Sequence, residues 1–133
     1  YIPIHKVPLT KKVCEYVGVS ECGKEFFLDD AISILNKNGE MIFSKSISEI
    51  FIENELAGRI FSQENFRRDP IHLNDIEPAF QDSEHWKKGD IYLSIKSRSA
   101  IIHYRPSENK IINLFLSILF CLENLSNFIG ITF

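Results

Sequence analysis

The most regular alternation of apolar and polar positions lies between Gly89 and Ile112. Ile91, Leu93 and Ile95 fall on one side and Tyr92, Ser94 and Lys96 on the other, the period-two signature of a half-buried strand. Ser97-Arg98 interrupts the run, and Ala100 to Tyr104 predicts the next strand. Arg105-Pro106-Ser107-Glu108-Asn109-Lys110 then turns the chain into a third, which begins at Ile111-Ile112. Strand, turn, strand, turn, strand at about ten-residue spacing is an antiparallel meander. Such meanders build the blades of β-propellers, and also sandwiches and small barrels.

Upstream, the same logic predicts a hairpin. Ala31-Ile32-Ser33-Ile34-Leu35 and Met41-Ile42-Phe43-Ser44 flank Asn36-Lys37-Asn38-Gly39-Glu40, and Asn38-Gly39 supplies the positive φ that a tight reversal needs. Ser46-Ile47-Ser48-Glu49 is a capping box: Ser46 can accept from the Glu49 amide. Ile47, Ile50, Phe51 and Ala57 share one helical face, which predicts one short helix at about Ser48 to Leu56, stopped by Gly58. Its polar side, with Glu49, Glu53 and Glu55, is too acidic to bury alone, so the helix is expected as an insertion packed on the side of a sheet. Val13 to Val19 is expected as a strand. Arg59 to Arg68 is a connection, and Asp69-Pro70 opens a turn.

Composition narrows this little. At 133 residues and 44% hydrophobic, the chain can bury the core of a single domain. A net charge of −3, with only isolated pairs such as Lys11-Lys12, Arg67-Arg68 and Lys87-Lys88, argues against a nucleic-acid partner. The longest apolar run, Ile111 to Leu122, is about 12 residues, short of the roughly 20 that cross a bilayer, so no membrane span is expected. The chain opens with Tyr1 rather than Met, so a natural start upstream is expected, and the lack of a visible signal peptide leaves the compartment open. Cys14 and Cys22 could pair across a short loop if the protein is exported, or be two buried thiols; Cys121 lies in the apolar tail.

The densest chemistry sits in Asp69-Pro70-Ile71-His72-Leu73-Asn74-Asp75-Ile76. His72-x-Asn74, followed by Gly89-Asp90-Ile91-x-Leu93-Ser94-x-Lys96-x-x-Ser99-Ala100-Ile101-Ile102, resembles the arylsulfotransferase-like β-propeller family. The hairpin with Lys37-Asn38-Gly39-Glu40 and the helical Ser46 to Leu56 segment is similar too, so the resemblance covers about residues 30 to 112. It implies a mainly β fold: four-stranded antiparallel blades of a propeller with its site at the mouth of the channel. It also implies transfer of sulfuryl groups between phenols, through a sulfated histidine and without a nucleotide cofactor, and favours an extracytoplasmic location. The chain departs from the family in carrying Lys96 where arginine is usual. It also runs into Asn113-Leu114-Phe115-Leu116-Ser117-Ile118-Leu119-Phe120, where the family has tryptophan, glycine and turn residues. It is therefore expected to be one partial propeller domain, 1–133, of two or three blades, with an atypical apolar tail at 113–133, a possible frame change after Ile112, and open strand edges prone to self-association.

Sulfuryl transfer, like phosphoryl transfer, is served by positioning and fixed donors. His72 is the candidate catalytic residue, as nucleophile or as a supporting group, since the resemblance implies that histidines from several blades share the site and that the sulfated one lies in a later blade. An extended segment would put Asn74 on the same side as a donor. Lys96 or Arg98 could hold the sulfuryl oxygens, and Tyr92 or Tyr104 could line a pocket for a small aromatic sulfate or phenol. His103 is expected on edge surface and His85 in a polar loop. No ligand spacing links His72, His85 and His103 to a metal. Neither Gly-x-Ser-x-Gly nor a phosphate loop occurs. The alternative function is a propeller that binds a ligand or protein without chemistry.

Overall fold

The computed structural model describes residues 1–19, 22, 27–61 and 69–116. They form a mainly β structure of two antiparallel sheets, which close no barrel. Strands β1 (Ile2–Val7), β2 (Asp29–Leu35) and β3 (Met41–Ser46) make the first sheet in the order β1-β2-β3. Strands β4 (Leu73–Pro78), β5 (Ile91–Ile95), β6 (Ala100–Arg105) and β7 (Lys110–Leu116) make the second in the order β4-β5-β6-β7. The second sheet is the expected meander, with every strand hydrogen-bonded to its neighbour in sequence.

The β2–β3 hairpin turns where expected. Gly39 takes φ +81°, and Asn36 Oδ1 accepts from the Asn38 and Glu40 amides at 2.9 and 3.0 Å. An Asx turn thus reinforces the glycine. The meander is tied by two 3-10 turns, Lys96–Arg98 and Pro106–Glu108. Each ends on a residue in the left-handed region, Ser99 at φ +46° and Asn109 at φ +49°.

Helix α2 (Ile47–Glu53) is capped by Ser46 Oγ, which accepts from the Glu49 amide at 3.0 Å. It stops earlier than expected. Asn54, not Gly58, terminates it, with Nδ2 donating to the Ile50 carbonyl at 2.8 Å, while Gly58 lies in a separate 3-10 turn, Ala57–Arg59. The helix is not a lateral insertion with a free acidic side. Ile47, Ile50 and Phe51 are buried in the shared core with Ile32 of β2 and Leu93 and Ile102 of the second sheet. Glu53 is enclosed by Lys12, Lys45 and Asn109. Burial alone would raise its carboxyl, but hydrogen bonds from those three groups bring it down to about 2.

The Val13 to Val19 expectation fails. Residues Lys11–Val17 form helix α1, with Thr10 at its N-cap accepting from the Val13 amide and Gly18 at φ +75° closing its C-terminus. Val13 and Cys14 turn inward while Lys11 and Glu15 pair outside at 3.6 Å, so the period is helical rather than extended. Cys14 and Cys22 form a disulfide with Cα atoms 5.7 Å apart. Asn113 to Leu116 of the expected atypical tail belong to β7, where Phe115 pairs with Ile101 and Leu116 with Ala100. The rest of the tail, with Cys121, lies outside the described residues, as do Arg67 and Arg68. No helix among the described residues is long and apolar enough to cross a membrane.

Candidate active site

His72 sits where the chain enters β4. Asp69, three residues earlier, accepts the His72 amide on Oδ1 at 3.0 Å and meets the ring Nδ1 with Oδ2 at 2.7 Å. Beside this pairing His72 sits at φ +50°, a conformation L residues rarely adopt. The neighbouring 3-10 turn grips the same loop: the Lys96 amide donates to the His72 carbonyl at 3.0 Å, the Ser97 amide to the Ile71 carbonyl at 3.3 Å, and Ser97 Oγ to the Asp69 carbonyl at 2.9 Å. The two halves of the sequence motif therefore meet through the backbone.

The other side of the site comes from the first sheet. His5, Lys6, Leu28 and Asp30 line a cleft of about 310 Å³ together with Asp69 and His72. Asp30 is buried at its centre. Its Oδ1 accepts from the Lys6 amide at 3.2 Å and meets His5 Nδ1 at 3.3 Å, and its Oδ2 accepts the Leu73 amide at 2.7 Å. Lys6 also adopts positive φ, +59°. Two residues strained in the same sense thus face each other across the seam between β1 and β4.

The remaining candidates are placed differently. Asn74 is exposed and lies at the irregularity in β4–β5 pairing between Leu73 and Asp75. The left-handed turn at His72 and this irregularity together undo the simple alternation that would align Asn74 with His72. Lys96 is exposed at the head of its turn. Arg98 is half-buried and donates Nη2 to the Ile60 carbonyl. Neither tyrosine lines the cleft: Tyr104 is buried, with its hydroxyl on Asn109 Oδ1 at 2.8 Å, and burial pushes that hydroxyl up to about 12. Tyr92 stacks on His103 with centroids 4.6 Å apart.

His103 is not edge surface. Strand β6 lies between β5 and β7, and His103 is 1% exposed. Its Nε2 meets Asp90 Oδ2 at 2.8 Å, and Arg105 clamps the same carboxylate with Nε–Oδ1 at 2.7 Å and Nη2–Oδ2 at 2.8 Å. The Arg105 guanidinium, more than any other neighbour, holds the Asp90 carboxyl far below the usual range. This second histidine–carboxylate pair is at the opposite end of the second sheet, beneath Tyr92 and the edge-on ring of Trp86.

Sequence reasoning missed His5, Lys6, Asp30 and Asp69. The Asp69-x-x-His72 spacing was a legible Asx-turn signal. Nothing local links His5 to Asp30, which meet only through β1–β2 pairing. Among the described residues, no cluster of three or more histidine, cysteine or acidic side chains could hold a metal ion.

The family model for arylsulfotransferases (ASST) matches residues 2–114. The chain belongs to the arylsulfotransferase family. The match runs beyond the stretch expected from about residue 30 to 112 and takes in β1, so both walls of the cleft fall inside the arylsulfotransferase region. No curated protein and no solved structure matches the chain.

Proposed function

We propose that the cleft at the seam of the two sheets is a sulfuryl-transfer site in which His72 is the nucleophile. The observation that carries this reading is the 2.7 Å contact between His72 Nδ1 and Asp69 Oδ2. A carboxylate on Nδ1 fixes the tautomer and leaves the lone pair on Nε2. His72 is 43% exposed in an open cleft, so that nitrogen can meet a substrate. Nε2 attacks sulfur of an aryl sulfate, the S–O bond to the ring breaks, and the phenolate leaves with its electron pair. An acceptor phenol then loses its proton and takes the sulfuryl group from Nε2. In this reading Lys96, on the turn whose amide bonds the His72 carbonyl, offers a cation to the sulfuryl oxygens, while Asn74 and Arg98 lie outside the cleft lining. The chemistry uses no cofactor.

In this reading the two sheets are neighbouring blades of a propeller of which the chain is a part. The sequential β4-β5-β6-β7 order and the packing of the first sheet against it support that. The outer strands β3 and β7 expose Met41, Ile42, Phe115 and Leu116, edges that would make the isolated chain associate. The Cys14–Cys22 disulfide fits an oxidising, extracytoplasmic compartment.

The test is release of 4-nitrophenol from 4-nitrophenyl sulfate by the complete protein, with a phenol as acceptor. His72→Ala should abolish turnover; unchanged turnover would remove His72 from the mechanism. Lys96 in place of the usual arginine favours a second reading, ligand binding without chemistry. Saturable binding of the aryl sulfate with no nitrophenol released would select it.

A further inference from the structure

We propose that Asp30 is the positioning residue of the cleft and that the His5 it holds is a second proton-exchanging group facing the same substrate as His72. Three groups from two sheets converge on this one carboxylate: the Lys6 amide donates to it at 3.2 Å, the Leu73 amide donates at 2.7 Å, and His5 Nδ1 lies 3.3 Å from Oδ1 as a charge contact. The Leu73 bond pins the residue directly after His72. The Lys6 bond pins the residue directly after His5. Asp30 is 3% exposed, so these bonds act in a region where an unmet donor is costly. Lys6 at φ +59° and His72 at φ +50° are each held out of their ordinary conformations next to an amide or ring bonded to carboxylate. One buried side chain thereby sets the relative position of two imidazoles that no sequence proximity relates.

Each imidazole has Nδ1 turned to a carboxylate: His72 is hydrogen-bonded to Asp69 at 2.7 Å, and His5 lies in a looser charge contact with Asp30 at 3.3 Å. His5 is half-exposed and lines the cleft. Its Nε2 is therefore the atom open to a substrate proton. The catalytic part of this inference rests on the sulfuryl-transfer reading. When the sulfur–aryl oxygen bond breaks, the protonated His5 ring gives its Nε2 proton to the phenolate oxygen and becomes neutral. The neutral ring later takes the proton from the acceptor phenol as that oxygen bonds to sulfur. The Nδ1 proton stays on the Asp30 side throughout.

Asp30→Asn is the informative variant, because the amide offers one oxygen where these three groups use two. In the complete protein it should lower kcat for 4-nitrophenyl sulfate by about 10–100-fold, with KM changed by no more than about twofold. His5→Gln, a change at a half-exposed position, should give a loss of similar size. The double variant should lose little more than either alone, since both act through one unit. Multiplicative losses, or wild-type kcat in His5→Gln, would overturn the inference. A second readout does not depend on turnover. ¹⁵N NMR at a pH where the imidazoles are neutral should show His5 as the Nδ1–H tautomer in the wild type and a tautomer mixture in Asp30→Asn, with exchange of the Leu73 and Lys6 amides at least about tenfold faster in the variant. If the wild-type protein turned over no aryl sulfate, the nucleophile reading would fall while these signals still judged Asp30. Unchanged tautomer and exchange rates would reject Asp30 as the positioning residue. Should Asp30→Asn not fold, His5→Gln alone still decides through kcat.

Discussion

At one end of the second sheet His72 meets Asp69 at 2.7 Å; at the other, His103 meets Asp90 at 2.8 Å. The contacts are nearly the same, and the surroundings are opposite. Asp69 and His72 are roughly two-fifths exposed on a loop beside a cleft. Asp90 and His103 are each 1% exposed, with Arg105 forked onto the carboxylate and Tyr92 stacked on the imidazole. A ring that is 1% exposed and stacked under a tyrosine cannot reach a substrate, whereas a ring that opens on a cleft can. The same histidine–carboxylate pair is thus open to a ligand at one end and a sealed structural clamp at the other, according to what covers it.

The largest expected effect tests the clamp. Asp90→Ala leaves Arg105 and His103 without their shared anion, and should cost about 3–5 kcal/mol of stability, read from the urea midpoint. A loss below about 1 kcal/mol would show the cluster to be incidental.

Asp29 extends the contrast, because it is buried without a cation. Burial pushes its carboxyl up to about 6, against the opposing hydrogen bonds from Ser46, Ser48 and the Asp30 and Ser48 amides. A carboxyl raised in the folded state binds protons more tightly there than in the unfolded chain. Its contribution to stability is therefore full below about 3.8 and lost as pH rises to about 6. Asp90, pushed down, contributes the other way: its stabilisation holds at neutral pH and fades as pH falls below its ordinary range. Asp29→Asn should flatten the decline in stability between pH 4 and 6, a change of at most about 3 kcal/mol. Parallel pH–stability curves for variant and wild type would contradict this.

Asp69→Asn should do the reverse of Asp90→Ala. We expect kcat to fall about 10–100-fold while stability changes by less than about 0.5 kcal/mol, measured by 4-nitrophenol release beside thermal unfolding. A large stability loss with intact kcat would erase the distinction between the two ends. The smallest effect expected is at the helix cap: Ser46→Ala removes the Glu49 amide's acceptor and a hydrogen bond to Asp29, for about 1 kcal/mol. No change in the unfolding midpoint would show that water replaces the cap.

Much of the β architecture was legible because its causes are local. Asn38-Gly39 carries its own turn preference, and Ile91, Leu93 and Ile95 carry their own alternation. α1 was misread because Val13 and Val17 suit either period, and only the Thr10 and Gly18 caps, read together, select the helix. The site was half legible. His72 stood out by its motif and lines the cleft, whereas Lys96, Asn74 and Arg98, read from the same stretch, do not line it. His5 and Asp30 stayed hidden, since 25 residues separate them and strand pairing alone brings them together.

The sequence by itself determined the β2–β3 hairpin, the alternation of β5 and the cap of α2. Those outcomes depend on φ preferences and hydrogen bonds within a few residues. Which histidine opens on a cleft and which is sealed was decided only by tertiary structure. His72 and His103 each have an aspartate partner, and their fates differ through burial, a guanidinium and an aromatic stack, all set by packing across strands. The cleft forms only where the first sheet meets the second, with Asp30 bonded to the Leu73 amide across that seam.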